Sequence, residues 1–430
     1  MNISILAAGA GGMICGSCLR DSALATALLR LGHKVTLVPL YTPLKTEPGV
    51  QSHKEVFFGG VNVYLQHASG LFRKTPRALD WLLDRPWLLN LAAKYGTDTP
   101  ADQLGGLTMS ILRGEEGAAV KELRRLLAFL KEDARPQVVV LPNLMFIGVA
   151  PTVKRELGVP VVCELAGEDI FLDAMGERDR LAVQELVRRH VPHVDRFVAT
   201  CGYYAGEMAD YLGIGRDRIH VVYPGIPGDY VRDAAPALPD EKPPTVGYLA
   251  RICPEKGLHK FLDAVLLLAK MPAMEKLRVR VAGYLGKQNE KWYAGQQRRA
   301  TRAGGAAQFD FRGEVSREEK LAILDSLDVF SMPTTYREPK GVSVLEAMAR
   351  AVPVVQPAHG SFPEVLQLTN GGVLVPPDDA EALAKAMYDL LKDPVRRRQL
   401  GEAGRQAVRN GFTDEHMAKG MLKVFEGLAA

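Results

Sequence analysis

Two carboxylates eight positions apart, Glu338 and Glu346, flank Gly341 in the stretch REPKGVSVLEAMARAVPVV from Arg337 to Val355. Proline disfavours the helical conformation in the residue before it, so Glu338-Pro339 stands ahead of a helix. Val342, Leu345, Met348 and Ala349 have helical spacing, and Val352 to Val355 reads as a short apolar strand bounded by Pro353. Bare amides at a glycine-led helix start bind phosphate, and a carboxylate takes two hydroxyls of a ribose or a hexose. The same spacing suits a plain pair of helix-start and helix-face glutamates, so on its own it decides nothing.

Other groups raise the same choice. Arg251 and Lys256 flank a turn in ARICPEKG, just ahead of a helix expected from Leu258 to Ala269. Two fixed cations at a helix start suit a diphosphate, although most such residues are solvated surface cations. Near the beginning, Gly9, Gly11 and Gly12 follow a strand candidate, Ile3 to Ala8, and precede a helix from about Ser17 to Leu31. This is not the dinucleotide fingerprint, because the third glycine and the acidic residue after the second strand are missing. A glycine loop at a strand end lets a ligand approach the backbone. Cys15 and Cys18 make a C-x-x-C at that helix start. Redox chemistry is one reading; two small residues packed under the loop is the favoured one. No second Cys or His pair completes a metal tetrahedron. Gly167, Glu168 and Asp169 leave a strand at Pro160 to Glu164, a place where open α/β sheets bind ligands.

These residues need a scaffold. A chain of 430 residues suggests two domains. Hydrophobic content of 47% and charged content of 24% are ordinary for a globular protein. The balance of 54 cations against 50 anions is far from a nucleic-acid footprint. The opening MNISILAAGAGG reads as a strand and a glycine loop, not as a secretory leader, and no apolar run approaches a bilayer span. Five cysteines, an odd count, point to a reducing cytoplasm.

Strands and helices alternate through both halves, which predicts an α/β protein with two doubly wound, Rossmann-like domains facing a central cleft. Expected strands are Lys34–Leu40, Val61–Gln66, Gln137–Leu141, Arg196–Thr200, His220–Val222, Thr245–Leu249, Leu277–Ala282, Phe309–Phe311 and Val329–Met332. Helices are expected over Glu122–Lys131, Ala150–Leu157, Tyr203–Leu212 and Glu318–Ser326, and over nearly everything after Ala380. The segment Gly70–Gly96 carries Trp81 and Trp87 beside Arg73, Lys74, Arg77 and Arg85. A helical insertion packed on the first domain is favoured there over a membrane-surface or lipid-acceptor segment. The Pro- and Gly-rich stretch from YPGIPGDY to about Pro244 is the expected linker. The expected domains are residues 1–237, with an insertion at about 70–132, then 238–405, and a closing helix within 406–430.

In combination, GYLARICPEKG, FDFRGEVSREE, REPKGVSVLEAMARAVPVV, GSFPEVL and GGVLVPPDD resemble the retaining glycosyltransferases of family 4, in that family's order over roughly Thr245 to Asp379. The first half resembles the family more loosely, and its insertion is similar to that of bacterial glycogen-synthase-like relatives. The resemblance implies the GT-B fold and transfer of a hexose from a nucleotide-sugar donor with retention of configuration. It implies that Arg251 and Lys256 bind the donor's diphosphate, with Glu338, on the donor sugar, completing the catalytic set. Glu346 would take the ribose hydroxyls, and Gly341 and Val342 would offer amides to the sugar or distal phosphate. Val315 would lie near the base, while Gly11 and Gly12 would let the first, acceptor-binding domain approach. No metal or other cofactor is implied beyond a UDP-, GDP- or ADP-sugar donor. The implied partners are that donor and a carbohydrate or lipid-linked acceptor, without nucleic acid, in the cytoplasm or peripherally at the inner face of the membrane. The chain departs from the family at Ala166, where relatives often have His. That departure keeps a second reading open, a nucleotide-sugar-binding pseudoenzyme or scaffold.

Overall fold

Apolar strands buried on both faces lead to parallel sheets covered by helices. The computed structural model describes residues 1–9, 16–41, 56–58, 108–169, 172, 175–234 and 242–428. The strand expected at Val61–Gln66, the Trp-bearing segment Gly70–Gly96, Gly11, Gly12 and Cys15 lie outside these residues.

Residues Met1–Tyr223 with Met417–Ala430 form one compact unit, and Pro224–His416 form another. The first holds β1 (Asn2–Ala7), α1 (Gly16–Arg30), β2 (Lys34–Pro39), α2 (Val120–Phe129), β3 (Val138–Leu141), α3 (Ala150–Leu157), β4 (Val161–Leu165), α4 (Glu177–His190), β5 (Arg196–Ala199), α5 (Gly202–Leu212) and β6 (Ile219–Val221). Its sheet is wholly parallel, in the order β2-β1-β3-β4-β5-β6. The second unit holds β7 (Thr245–Leu249), α6 (Leu258–Leu268), β8 (Arg278–Ala282), α7 (Glu290–Ala303), β9 (Gln308–Phe311), α8 (Arg317–Ser326), β10 (Val329–Phe330), α9 (Val342–Ala349), β11 (Val354–Pro357), α10 (Phe362–Thr369), β12 (Gly372–Val375), α11 (Ala380–Lys392) and α12 (Pro394–Gly411). Its sheet, also parallel, runs β12-β11-β10-β7-β8-β9. In both sheets the strand order reverses once, between β1 and β3 and between β7 and β10, and ligands bind outside the strand ends at such reversals.

The closing helix α13 (Asp414–Glu426) returns to the first unit. Met417, Ala418, Met421, Val424 and Phe425 join Ile3, Ile5, Leu24, Val140, Val162 and Val222 in one buried cluster. Gly420 allows this approach, because a Cβ there would stand 3.0 Å from Val222 Cγ1. The chain's outward and return passages are paired within the second unit: Ile226 N–H donates to the Phe412 carbonyl at 3.0 Å, and Asp414 N–H to the Ile226 carbonyl at 2.8 Å.

The units divide after Tyr223 and after His416, whereas the sequence places the joints after 237 and 405. Arg405 is buried in mid-helix, and its guanidinium donates to the carbonyls of Arg232 at 2.8 Å and Asp233 at 3.1 Å. Those bonds hold both α12 and residues 232–233 within the second unit. Three helices, α4, α7 and α10, were not expected from the sequence. The strand expected at Val352–Val355 begins later, at Val354, because Val352 N–H still caps α9 on the Ala347 carbonyl at 3.0 Å.

Candidate functional site

The strand reversal of the second unit places the loop after β7 beside the loop after β10. Val329 and Phe330 pair with Val246 and Gly247, so the two chains leave the sheet as neighbours. The first loop turns through a 3₁₀ segment, Pro254–Lys256, into Gly257 at φ +77°. A Cβ on Gly257 would fall 1.7 Å from the Pro333 carbonyl oxygen, so only glycine lets the loops close up. Thr335 N–H donates to the Glu255 carbonyl at 3.0 Å and ties them together.

Glu338 lies in the second loop, 4% exposed. Its Oε2 forms an ion pair with Lys256 Nζ and accepts the Tyr336 hydroxyl; Lys256 Nζ also donates to that hydroxyl oxygen. The ammonium stands 4.9 Å from the centre of the Tyr336 ring. Oε1 accepts from the backbone N–H groups of Lys340 at 3.2 Å and Gly341 at 3.4 Å. Burial would push this carboxyl up, but Lys256, followed by Tyr336, outweighs it and holds the group at about 2. Gly360, at φ +61°, fits against the Glu338 backbone where a Cβ would come within 2.6 Å of its carbonyl oxygen. Ser361 N–H donates to that oxygen at 2.8 Å. Gly341, at φ +62°, then opens α9.

Glu346, on α9 and 7% exposed, meets Lys320 of α8 at 2.5 Å. Burial opposes the Lys320 charge, and Glu346 overrides it to raise the lysine's pKa. Lys320 and Arg317 lie 5.0 and 4.7 Å from the centre of the Tyr230 ring. A capping box at Ser316 and Glu319 fixes the start of α8, just after Val315.

Of the residues singled out in the sequence, Lys256 and Gly341 are thus both bonded to Glu338. Glu346 belongs to a separate ion pair. Arg251 is exposed at the end of β7, Val315 is half-buried beyond β9, and Val342 is half-buried at the start of α9. Tyr336 and Lys320 escaped the sequence reading. Tyr336 stands two residues before Glu338, whereas nothing in the sequence ties Lys320 to Glu346.

The first unit has its own polar turn beyond β4. Glu168, 6% exposed, accepts from Leu144 N–H at 3.0 Å and Ala166 N–H at 2.6 Å. Burial dominates and raises its pKa to about 7, although both amides oppose the shift. Tyr204 donates its hydroxyl to Asp169 Oδ1 at 2.5 Å and accepts Gly167 N–H at 3.0 Å. Arg20 of α1 and Glu164 of β4 form a buried ion pair at 2.5 Å. Among the described residues no group of three His, Cys, Asp or Glu is placed to hold a metal ion, and no helix is long and apolar enough to cross a membrane.

Residues 22–225 match the glycosyl transferase 4-like domain, and residues 232–407 match the glycosyl transferases group 1 family. The chain is 32% identical over 247 residues to the alpha-maltose-1-phosphate synthase of Mycolicibacterium smegmatis, covering 52% of this chain and 60% of that protein. It is 27% identical over 420 residues to the D-inositol 3-phosphate glycosyltransferase of Rhodococcus opacus, covering 91% and 90%. An Anabaena protein solved in complex with UDP and glucose shares the fold at a TM-score of 0.68, with 15% identity and 100% of both chains covered. Two consecutive glycosyltransferase domains, each on a parallel six-stranded sheet, place the chain among the glycosyltransferases of the GT-B fold.

Proposed function

We propose that this protein transfers a hexose from a nucleotide-diphosphate sugar to a hydroxyl acceptor with retention of anomeric configuration. The observation that carries the reading is the Lys256–Glu338 pair at the strand reversal of the second unit. Glu338 fixes the ammonium, and Lys256 keeps one N–H without a partner among the described residues, with the exposed Arg251 on the same loop. Such a pair of cations suits the two phosphates of a leaving nucleotide. The anomeric C–O bond to phosphate breaks while the acceptor oxygen bonds to the same face. The leaving phosphate oxygen takes the acceptor's proton. Lys256, Arg251 and the amide of Val342 offset the charge that develops, while the Gly341 amide stays on Glu338, and the reaction calls on no metal. Each well-placed donor of this kind contributes roughly 10²–10³ in rate.

Glu346 takes the ribose hydroxyls, Val315 adjoins the base, and Glu338 meets a hydroxyl of the donor sugar. In the first domain, Gly11 and Gly12 admit the acceptor, which is a carbohydrate or a lipid-linked sugar. The UDP and glucose bound by the Anabaena protein support a nucleotide-sugar donor. The test is a thermal-shift and hydrolysis screen against UDP-, GDP- and ADP-sugars, with Glu346→Ala as control. One donor is expected to stabilise the protein and release nucleotide slowly, and the variant to lose both effects. Stabilisation by none of the three donors would overturn the reading.

A further inference from the structure

Glu338 is saturated. A carboxylate offers about four acceptor positions, and here Lys256, Tyr336, Lys340 N–H and Gly341 N–H occupy them. A sugar hydroxyl reaches this carboxylate only if one donor leaves. The two backbone amides are fixed by the turn into α9, which leaves the two side chains. Of these, Lys256 is the one that a phosphate attracts. Its departure removes the counter-charge of a 4% exposed carboxylate and one of the two donors on Oε2, and a buried carboxylate oxygen left without a donor is costly. Tyr336 keeps Oε2 from being left bare, because its hydroxyl already donates to it.

We propose that Tyr336 is a positioning residue of the donor site: its hydroxyl holds Glu338 when Lys256 turns to the distal phosphate, and the vacated position on Oε2 then receives a donor-sugar hydroxyl. This inference rests on the diphosphate reading of Lys256. Tyr336 is built for the exchange from both sides. Its oxygen accepts from Lys256 while its proton goes to Glu338, and its ring underlies the ammonium at 4.9 Å. Replacing the phenol by phenyl keeps the ring and removes the substitute donor. Lys256 then stays on the carboxylate, and the distal phosphate loses its partner. A nucleoside monophosphate lacks that phosphate and does not require the exchange.

The test is calorimetric binding of UDP and UMP, GDP and GMP, and ADP and AMP to the full chain, followed by the pair that binds. Tyr336→Phe is expected to lower diphosphate affinity about tenfold while leaving monophosphate affinity within about twofold. Equal losses for both nucleotides, or no loss for the diphosphate, would overturn the inference. Lys256→Ala separates it from the underlying reading. If Lys256→Ala leaves diphosphate affinity unchanged, the diphosphate reading itself fails. If Lys256→Ala is selective and Tyr336→Phe is not, only the exchange fails. Should Tyr336→Phe melt early, Tyr336→His, which keeps a ring N–H to donate, is measured in its place. Its diphosphate preference is expected to match the parent's, and loss of that preference counts against the exchange.

Discussion

Glu338 and Glu168 are both buried carboxylates in the turns beyond strand ends, one in each unit, and their acidities move in opposite directions. Each accepts two backbone N–H groups, so amide hydrogen bonds do not separate them. The largest difference is Lys256, with the Tyr336 hydroxyl adding to it and the Asp169 charge pushing Glu168 the other way. With an ammonium in contact, Glu338 remains ionised down to about pH 2; with amides alone, Glu168 becomes ionised only near pH 7. Partial charges on backbone amides are too small to offset desolvation at Glu168, whereas at Glu338 a full charge at contact, joined by the Tyr336 hydroxyl, outweighs it. The two turns therefore contribute to stability in opposite pH ranges. Glu338 stabilises the fold above its unfolded value, and that contribution is lost as pH falls from about 4.5 towards 2. Glu168 favours the fold while protonated, and its contribution is lost as pH rises from about 4.5 through 7.

Removing the cation is the strongest way to break this contrast. Lys256→Met is expected to turn the Glu338 site into one like that of Glu168. Turnover should fall by roughly 10²–10³ and stability by about 3 kcal/mol at neutral pH; donor hydrolysis and chemical denaturation measure both. An unchanged acid limb of stability would contradict the role given to Lys256. Next in size is Gly257→Ala, which drives a Cβ into the Pro333 carbonyl and strains φ +77°. A loss of about 2–3 kcal/mol is expected from overpacking and strain, while the pH dependence of the Glu168 turn persists. Glu168→Gln sharpens the comparison from the other side. Its amide oxygen replaces two acceptors with one, so the variant should be weaker than the parent by about 1 kcal/mol at pH 5. Between about pH 5 and 7 the gap should close or reverse, because the parent alone loses stability there as its carboxyl ionises; thermal melts across that range decide it. The smallest effect belongs to Ser316→Ala, which removes the cap of α8 and should cost about 1 kcal/mol. Turnover should change little, since Lys320 still reaches Glu346 from the next turn.

Much of this was legible in the sequence. Strands buried on both faces read clearly as apolar runs, and the helix Ala150–Leu157 was placed at its observed limits. Of the missed helices, α10 is only 8 residues long, and α4 and α7 have thin apolar stripes. In α4 only Val183, Val187 and His190 are buried, and in α7 only Tyr293 and Ala300, so neither carries a strong period. At the candidate site, Glu338, Lys256 and Gly341 were found through motifs, and the bonding of the other two to Glu338 then emerged from the strand order. Tyr336 lies in a loop without periodicity, and its importance depends on an ammonium 80 residues away in the chain. Lys320 was hidden for the same reason, since its partner Glu346 lies one helix and one strand further on. Contacts that depend on side-chain reach across a sheet leave no local mark in the chain.

The return of α13 to the first sheet also bears on biosynthesis. Five side chains of the buried cluster that α13 shares with that sheet, Met417, Ala418, Met421, Val424 and Phe425, are made only after the whole second unit. A nascent chain halted before Met417 carries a finished second unit and an unfinished first one, so the part synthesised earlier is completed last. The paired passages at Ile226 and Thr413 bring the second unit's two ends together, which makes it, in topology, a closed loop inserted into the first.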